Sequence, residues 1–223
     1  MGGISWGLWQ IPYWQNTSIF SQENQVRIDG TRSEQCSDFI ITSIRGNAKQ
    51  YSQKKDFHLF DEVKIDGKIV YAIYQRNVPI SNILPKLGEP IDFSNNATQC
   101  FLKMGWNEQS EDWGVWSTSI QTLIELPTPN IKPRKLNLEI KPFIGSNNLT
   151  QRVSIGINGS PLRSIQLSKP TTHKITIEIP KSEQTKNSLQ IQISIPQAIS
   201  PKSLGMGPDS RVLGIGLVKA TLE

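Results

Sequence analysis

The sequence predicts a mainly β protein. It reads as an antiparallel, jelly-roll-like β-sandwich over residues 91–223, preceded by a small α/β segment over 1–77 and joined to it by a linker at 78–90. Three observations predict this. Apolar and polar residues alternate in four separate runs after residue 130, the period of a strand with one face in a core and one in water. Asp-Gly and Asn-Gly pairs stand between such runs, and both residues of a tight hairpin turn must tolerate positive φ. No part of 91–223 carries a helical period, and turn signals recur at the spacing of an antiparallel sandwich.

The elements follow in order. In Cys36–Ile44 (CSDFIITSI) the apolar residues Phe39, Ile40 and Ile41 are contiguous, as in a strand covered on both faces. Glu62–Ile65 and Lys68–Gln75 flank Asp66-Gly67 and predict a hairpin. Residues 78–90 (VPISNILPKLGEP) hold three prolines and one glycine and read as the linker. Gly105–Ser117 (GWNEQSEDWGVWS) begins as a loop, with no β-branched residue before Val115, and enters a long strand, VWSTSIQTLIEL, near Trp116. Lys135–Lys141 then alternates with Leu136, Leu138 and Ile140 on one face. Arg152–Ile157 does so with Val153, Ile155 and Ile157, turns at Asn158-Gly159, and returns through Leu162, Ile165 and Leu167. Lys174–Ile179 and Ser188–Ile195 repeat the pattern, and Arg211–Leu222 closes the domain. The opposite faces, with Asn137, Glu139, Ser154, Thr176, Glu178, Gln190 and Gln192, read as solvated. The GIGL run at 214–217 reads as a tight sheet contact rather than a phosphate loop.

Composition narrows the function. The 223 residues are 36% hydrophobic and 19% charged, enough apolar content for a packed core. The net charge of +5 is spread along the chain (Lys54–Lys55, Lys64, Lys68, Lys132–Arg134) rather than gathered on one face, which argues against a nucleic-acid partner. There is no apolar run long enough to span a membrane as a helix. The aromatic start, MGGISWGLWQIPYW, fits a fragment cut from a longer protein. Cys36 and Cys100 lack the spacing of a zinc site, and they could pair as a disulfide or stay as two buried thiols. His58 and His173 have no nucleophile partner in sequence, and no GxSxG, Walker or GxGxxG motif is present. No cofactor and no metal are expected, since no run of Asp or Asn at alternate positions offers a calcium loop.

The candidate site lies in GWNEQSEDWGVWS, which holds three of the six tryptophans with three acids among them. A flat indole suits the C–H face of a pyranose, and carboxylates accept from its hydroxyls. Trp106, Glu111 and Trp113 are the residues expected to contact glycan, with Asp209 and Arg211 bordering the same surface. Two other readings stand beside this one. Trp113 and Trp116 could instead anchor the loop in the core. Glu108 and Glu111 could be a carboxylate pair for glycoside chemistry, which needs two acids at a defined separation. Asp209 and Arg211 also suit an internal clamp, with the guanidinium gripping Asp209 or Glu111.

Several blocks, in order, resemble a known family: GWNEQSEDWGVWS (105–117), the Asn158-Gly159 turn after RVSIGI, Ser200-Pro201, Leu204-Gly205, and Asp209–Gly214 (DSRVLG). Together they are similar to the C-terminal extracytoplasmic β-sandwich of bacterial membrane glycosyltransferases and phosphoglycerol-transferase-like proteins, which build or decorate envelope glycans. More faintly, CSDFIITS and VYAIYQR resemble the tail of the preceding extracytoplasmic region. The resemblance implies a non-catalytic accessory module on the periplasmic or extracellular face of a bacterial membrane. Its implied partners are an envelope glycan and the membrane-embedded part of the parent protein, and the chemistry would belong to that other part.

Overall fold

The computed structural model describes residues 26–28, 38–43, 57–145 and 147–223. The chain divides into two units, Met1–Asn82 and Ile83–Glu223.

The first unit contains a four-stranded sheet of β1 (Val26–Ile28), β2 (Phe39–Ser43), β3 (Phe57–Ile65) and β4 (Lys68–Arg76), in the order β1-β2-β4-β3. β1 and β2 run parallel, while β2–β4 and β3–β4 are antiparallel. The α part of the expected α/β segment has no counterpart among the described residues. The contiguous apolar run of β2 is explained by two separate clusters. Phe39 and Ile41 pack with Ile73, whereas Ile40 packs with Ala72 and Tyr74. Asp66 (φ 51°) and Gly67 (φ 73°) turn the chain between β3 and β4, with the two successive positive φ values of a type I′ hairpin.

The second unit is an antiparallel β-sandwich. One sheet is formed by β6 (Leu102–Met104), β8 (Gln121–Pro127), β10 (Gln151–Ile157), β11 (Ser160–Leu167) and β13 (Ser188–Ser194), in the order β11-β10-β13-β8-β6. The other is formed by β5 (Pro90–Asp92), β7 (Val115–Trp116), β9 (Lys135–Pro142), β12 (His173–Glu178) and β14 (Ile215–Leu222), in the order β12-β9-β14-β5 with β7 also on β14. Every alternating run places its apolar set inward. Leu136, Leu138, Ile140, Val153, Ile157, Leu189, Ile191, Ile215 and Leu217 are all fully buried. Burial of such side chains supplies about 1.5–3 kcal/mol each, the main term holding the two sheets together. Part of the 78–90 stretch is built into this unit: Gly88 N–H donates to Leu222 O at 2.7 Å, and β5 begins at Pro90.

Two expectations need correction. The long strand VWSTSIQTLIEL is two strands on different sheets, because β7 pairs with β14 and β8 pairs with β13 and β6. The crossing is made at Ser117, which is fully buried. Its Oγ accepts from Gly214 N (3.1 Å) and Ile215 N (2.9 Å), standing in for a backbone acceptor that the departing chain cannot offer. Asn137 is not solvated. It is 4% exposed and accepts a 2.6 Å hydrogen bond from Thr176 Oγ1 on the neighbouring strand.

Asn158 (φ 50°) and Gly159 (φ 85°) form a second turn of the same type. The Asn158 side chain fixes it further, accepting from Gln190 N (2.8 Å) and donating to Glu183 (2.6 Å). At the open side of the sandwich, Arg163 of β11 donates to the carbonyl of Thr176 on β12, so a side chain of one sheet caps the edge of the other. Cys100 is buried in the 3-10 turn Asn96–Phe101, and Cys36 lies outside the described residues. Among the described residues no helix is long and apolar enough to cross a membrane, and no group of three or more His, Cys, Asp or Glu could hold a metal.

Candidate functional site

Gly105–Ser117 is a hairpin-like loop rather than an open one. Trp106 bridges Ser117, Asn107 N–H donates to Trp116 O at 2.9 Å, and Thr118 N–H donates to Gly105 O at 2.8 Å. Its tip closes between Glu111 and Gly114, whose backbones exchange hydrogen bonds of 2.7 and 3.2 Å. Asp112 and Trp113 therefore sit at the apex. Two glycines are required by close approach. A Cβ on Gly105 (φ 77°) would lie 2.2 Å from Gln121 O, and one on Gly114 (φ 147°) would lie 2.2 Å from Leu217 O. The loop is also tied from below. Ser110 Oγ donates to Ser94 O at 3.0 Å. The buried Gln99 amide, with its nitrogen towards Glu108 O (2.7 Å), accepts from Ser110 N (2.6 Å).

This loop lays Trp113 on the outer face of the β12-β9-β14 sheet. The register places Lys141 of β9, Gly216 of β14 and Trp116 of β7 in one row across that face. Gly216 is the notch that admits the indole, since a Cβ there would stand 2.4 Å from Trp113 Cη2 and 2.5 Å from Cζ3. Trp113 packs edge-on against Trp116, with ring centroids 4.9 Å apart at 74°. Trp116 in turn packs edge-on against Phe143 at 5.9 Å and 87°. Such pairs contribute about 0.5–1.5 kcal/mol beyond burial. Trp113 remains partly exposed. Its Nε1–H donates to Glu111 Oε2 at 3.1 Å, which fixes the ring's orientation. The Lys141 ammonium lies over the ring, 5.2 Å from a centroid.

Arg211 grips Asp209 through Nε (3.1 Å to both carboxylate oxygens) and Nη2 (2.7 Å), and its backbone N–H adds a 2.9 Å bond. These bonds hold the Asp209 carboxyl below its ordinary value near 3.8. The Arg211 guanidinium is stabilised in its charged form mainly by Asp209, and Glu111 adds to this through space. That electrostatic reach links the β13–β14 loop to the Gly105–Ser117 loop.

The structure joins Glu111 to Trp113 and Asp209 to Arg211 by direct contacts, and the two pairs are related to each other only by the minor electrostatic influence of Glu111 on Arg211. Trp106 does not join them. Its Nε1–H donates to Leu123 O (3.1 Å) on β8, in the opposite sheet. Glu108 and Asp112 are exposed. Of the two partners foreseen for Arg211, Asp209 makes the direct contact. Lys141 was not singled out by sequence, because it is simply the last outward residue of an alternating strand. Only the register beside Gly216 gives it a place at the site. Gly216, by contrast, was legible as a tight contact within GIGL.

A family model described as "Domain of unknown function (DUF7024)" matches residues 97–223. No curated protein matches the chain. Among solved structures, it is similar to a carbohydrate-binding module, CBM36, in complex with calcium and xylotriose, at 12% identity and a TM-score of 0.36, covering 60% of this chain and 99% of that one. It is also similar to the CBM36-1 domain of a multidomain xylanase from the hindgut metagenome of Trinervitermes trinervoides (9% identity, TM-score 0.32, 49% of this chain and 77% of that one). A family 35 carbohydrate-binding module from Clostridium thermocellum matches at 8% identity and a TM-score of 0.33, covering 60% of this chain and 98% of that one.

Proposed function

We propose that this chain, which belongs to the DUF7024 family of domains of unknown function, carries a non-catalytic accessory β-sandwich that contacts carbohydrate through Trp113. The observation that carries this reading is the state of that side chain. An indole is held rigidly on an outer sheet face, partly exposed, with a carboxylate at its N–H edge and the Asp209–Arg211 pair within electrostatic reach of that carboxylate. Rigid orientation lowers the entropy lost when a sugar stacks on it, and polar groups at the rim can meet hydroxyls that the ring cannot. On the same reading the parent is a bacterial membrane protein that builds or modifies an envelope glycan, and the module stands on its periplasmic or extracellular side. The residue blocks at 105–117, 158–159 and 200–214 support that placement.

A second reading rests on a specific observation. The indole N–H is already used by Glu111 and the ring fills the Gly216 notch, which is also how a purely structural anchor would look. Catalysis by Glu108 and Glu111 is less well supported. Both side chains are exposed, and Glu111 is committed to the Trp113 N–H. A screen of envelope-type oligosaccharides against the full chain and its Trp113→Ala variant separates the readings. Binding by the parent, weakened more than about fivefold in the variant, supports carbohydrate contact. No binding to any glycan, with a large loss of stability in the variant, supports the anchor. Turnover that disappears in Glu111→Gln would support catalysis.

A further inference from the structure

Beside the Trp113 platform stands a cation whose only interaction among the described residues is with the ring itself. The other basic group of the candidate site, Arg211, is neutralised by Asp209 at 2.7 Å. Lys141 has no carboxylate partner among the described residues, and its ammonium lies over the indole face at 5.2 Å. Its position is set by the sheet. Lys141 is the outward neighbour of Gly216 in the β9–β14 register, and Gly216 is the residue on which Trp113 rests. A ring stacking on Trp113 must displace the ammonium or bond to it. An ammonium has three donors and no acceptor, so it rewards an anionic substituent far more than a hydroxyl. The edge and the face of the indole are therefore unlike in charge. The pyrrole edge carries the acceptor Glu111, suited to hydroxyls, and the face carries a donor cation.

Resting on the carbohydrate-contact reading above, we infer that the preferred ligand is an acidic glycan, one bearing a carboxylate or phosphate on or next to the stacked sugar. Lys141 is the residue that selects it. An exposed ion pair of this kind gives a modest preference, about three- to fivefold at low ionic strength, and salt weakens it.

The test titrates the full chain with three oligosaccharides of equal length: a uronic-acid form, its carboxyl-reduced neutral twin, and a phosphorylated form. The expected result is tighter binding of both acidic forms than of the neutral twin. Lys141→Ala should erase that preference, bringing the affinity for the acidic forms down to that for the neutral twin. Lys141→Arg should retain it. A preference shown by only one acidic form would identify carboxylate or phosphate as the group recognised. Equal or tighter binding of the neutral twin by the parent chain overturns the inference while leaving carbohydrate contact standing. So does an acidic preference that survives in Lys141→Ala. Failure of all three to bind removes the underlying reading, and this inference with it.

Discussion

At the scale of single residues, a few side chains hold the candidate site in place. Ser117 is the clearest. Its buried hydroxyl accepts from two backbone N–H groups at the point where the chain leaves one sheet for the other. Ser117→Ala leaves both donors without that acceptor and should destabilise the sandwich by about 2 kcal/mol, measured by denaturant unfolding. Asp209 makes a different kind of contribution. Its folded-state pKa is depressed by Arg211, so its stabilising effect is present above its ordinary value near 3.8 and is lost as pH falls through and below it. The β13–β14 loop should therefore loosen in acid before the buried core does. Amide exchange in residues 200–213 would follow this, and Asp209→Asn should lose the pH dependence in that window. Unchanged exchange in both proteins would mean that the pair contributes nothing.

At the scale of elements, the Gly105–Ser117 hairpin and β14 form a lock. Gly216→Ala places a methyl within the Trp113 ring, so the indole must leave its seat while the inward residues Ile215 and Leu217 stay where they are. Its tryptophan fluorescence should shift with little change in far-ultraviolet circular dichroism, and glycan contact should be lost. By contrast, Gly159→Ala meets no atom within 4 Å and carries only the penalty of its positive φ, about 1 kcal/mol. Much of this was legible in the sequence. KLNLEIK, RVSIGI and the two hairpin turns are local patterns, and period and turn chemistry are decided locally. The crossing at Ser117 was not legible, because VWSTSIQTLIEL carries no mark of which sheet each half joins. Asn137 reads as solvated until Thr176 is known to lie opposite it, and Lys141 gains meaning only through its register with Gly216. Each of these depends on a residue far along the chain. The Arg163 cap is a similar long-range feature. Arg163→Ala uncovers the β12 edge and should increase self-association at high concentration, read by light scattering.

At the scale of the whole molecule, Ile83–Glu223 is a compact unit with its own two-sheet core, and the family match at 97–223 lies inside it. A fragment of residues 83–223 should therefore unfold in one cooperative transition. A broad, non-cooperative transition would contradict the independence of that core. Within the unit, the fold sets up a division of labour. The inward side chains of the long strands are aliphatic, Phe93 and Phe101 are buried with them, and the aromatic ledge of Trp113, Trp116 and Phe143 lies on the outer face of one sheet. Trp116 joins Trp113 to Phe143, and Trp113 is the member that rests on Gly216 beneath the Lys141 ammonium. Trp113 is the indole proposed to meet carbohydrate. The most direct measurement is fluorine NMR of the full chain carrying 5-fluorotryptophan, with the Trp113 signal assigned by its absence in Trp113→Phe. On titration with an acidic oligosaccharide, the Trp113 resonance should move most among the six tryptophans and saturate with the binding curve. Saturable binding that leaves the Trp113 resonance in place would contradict the account.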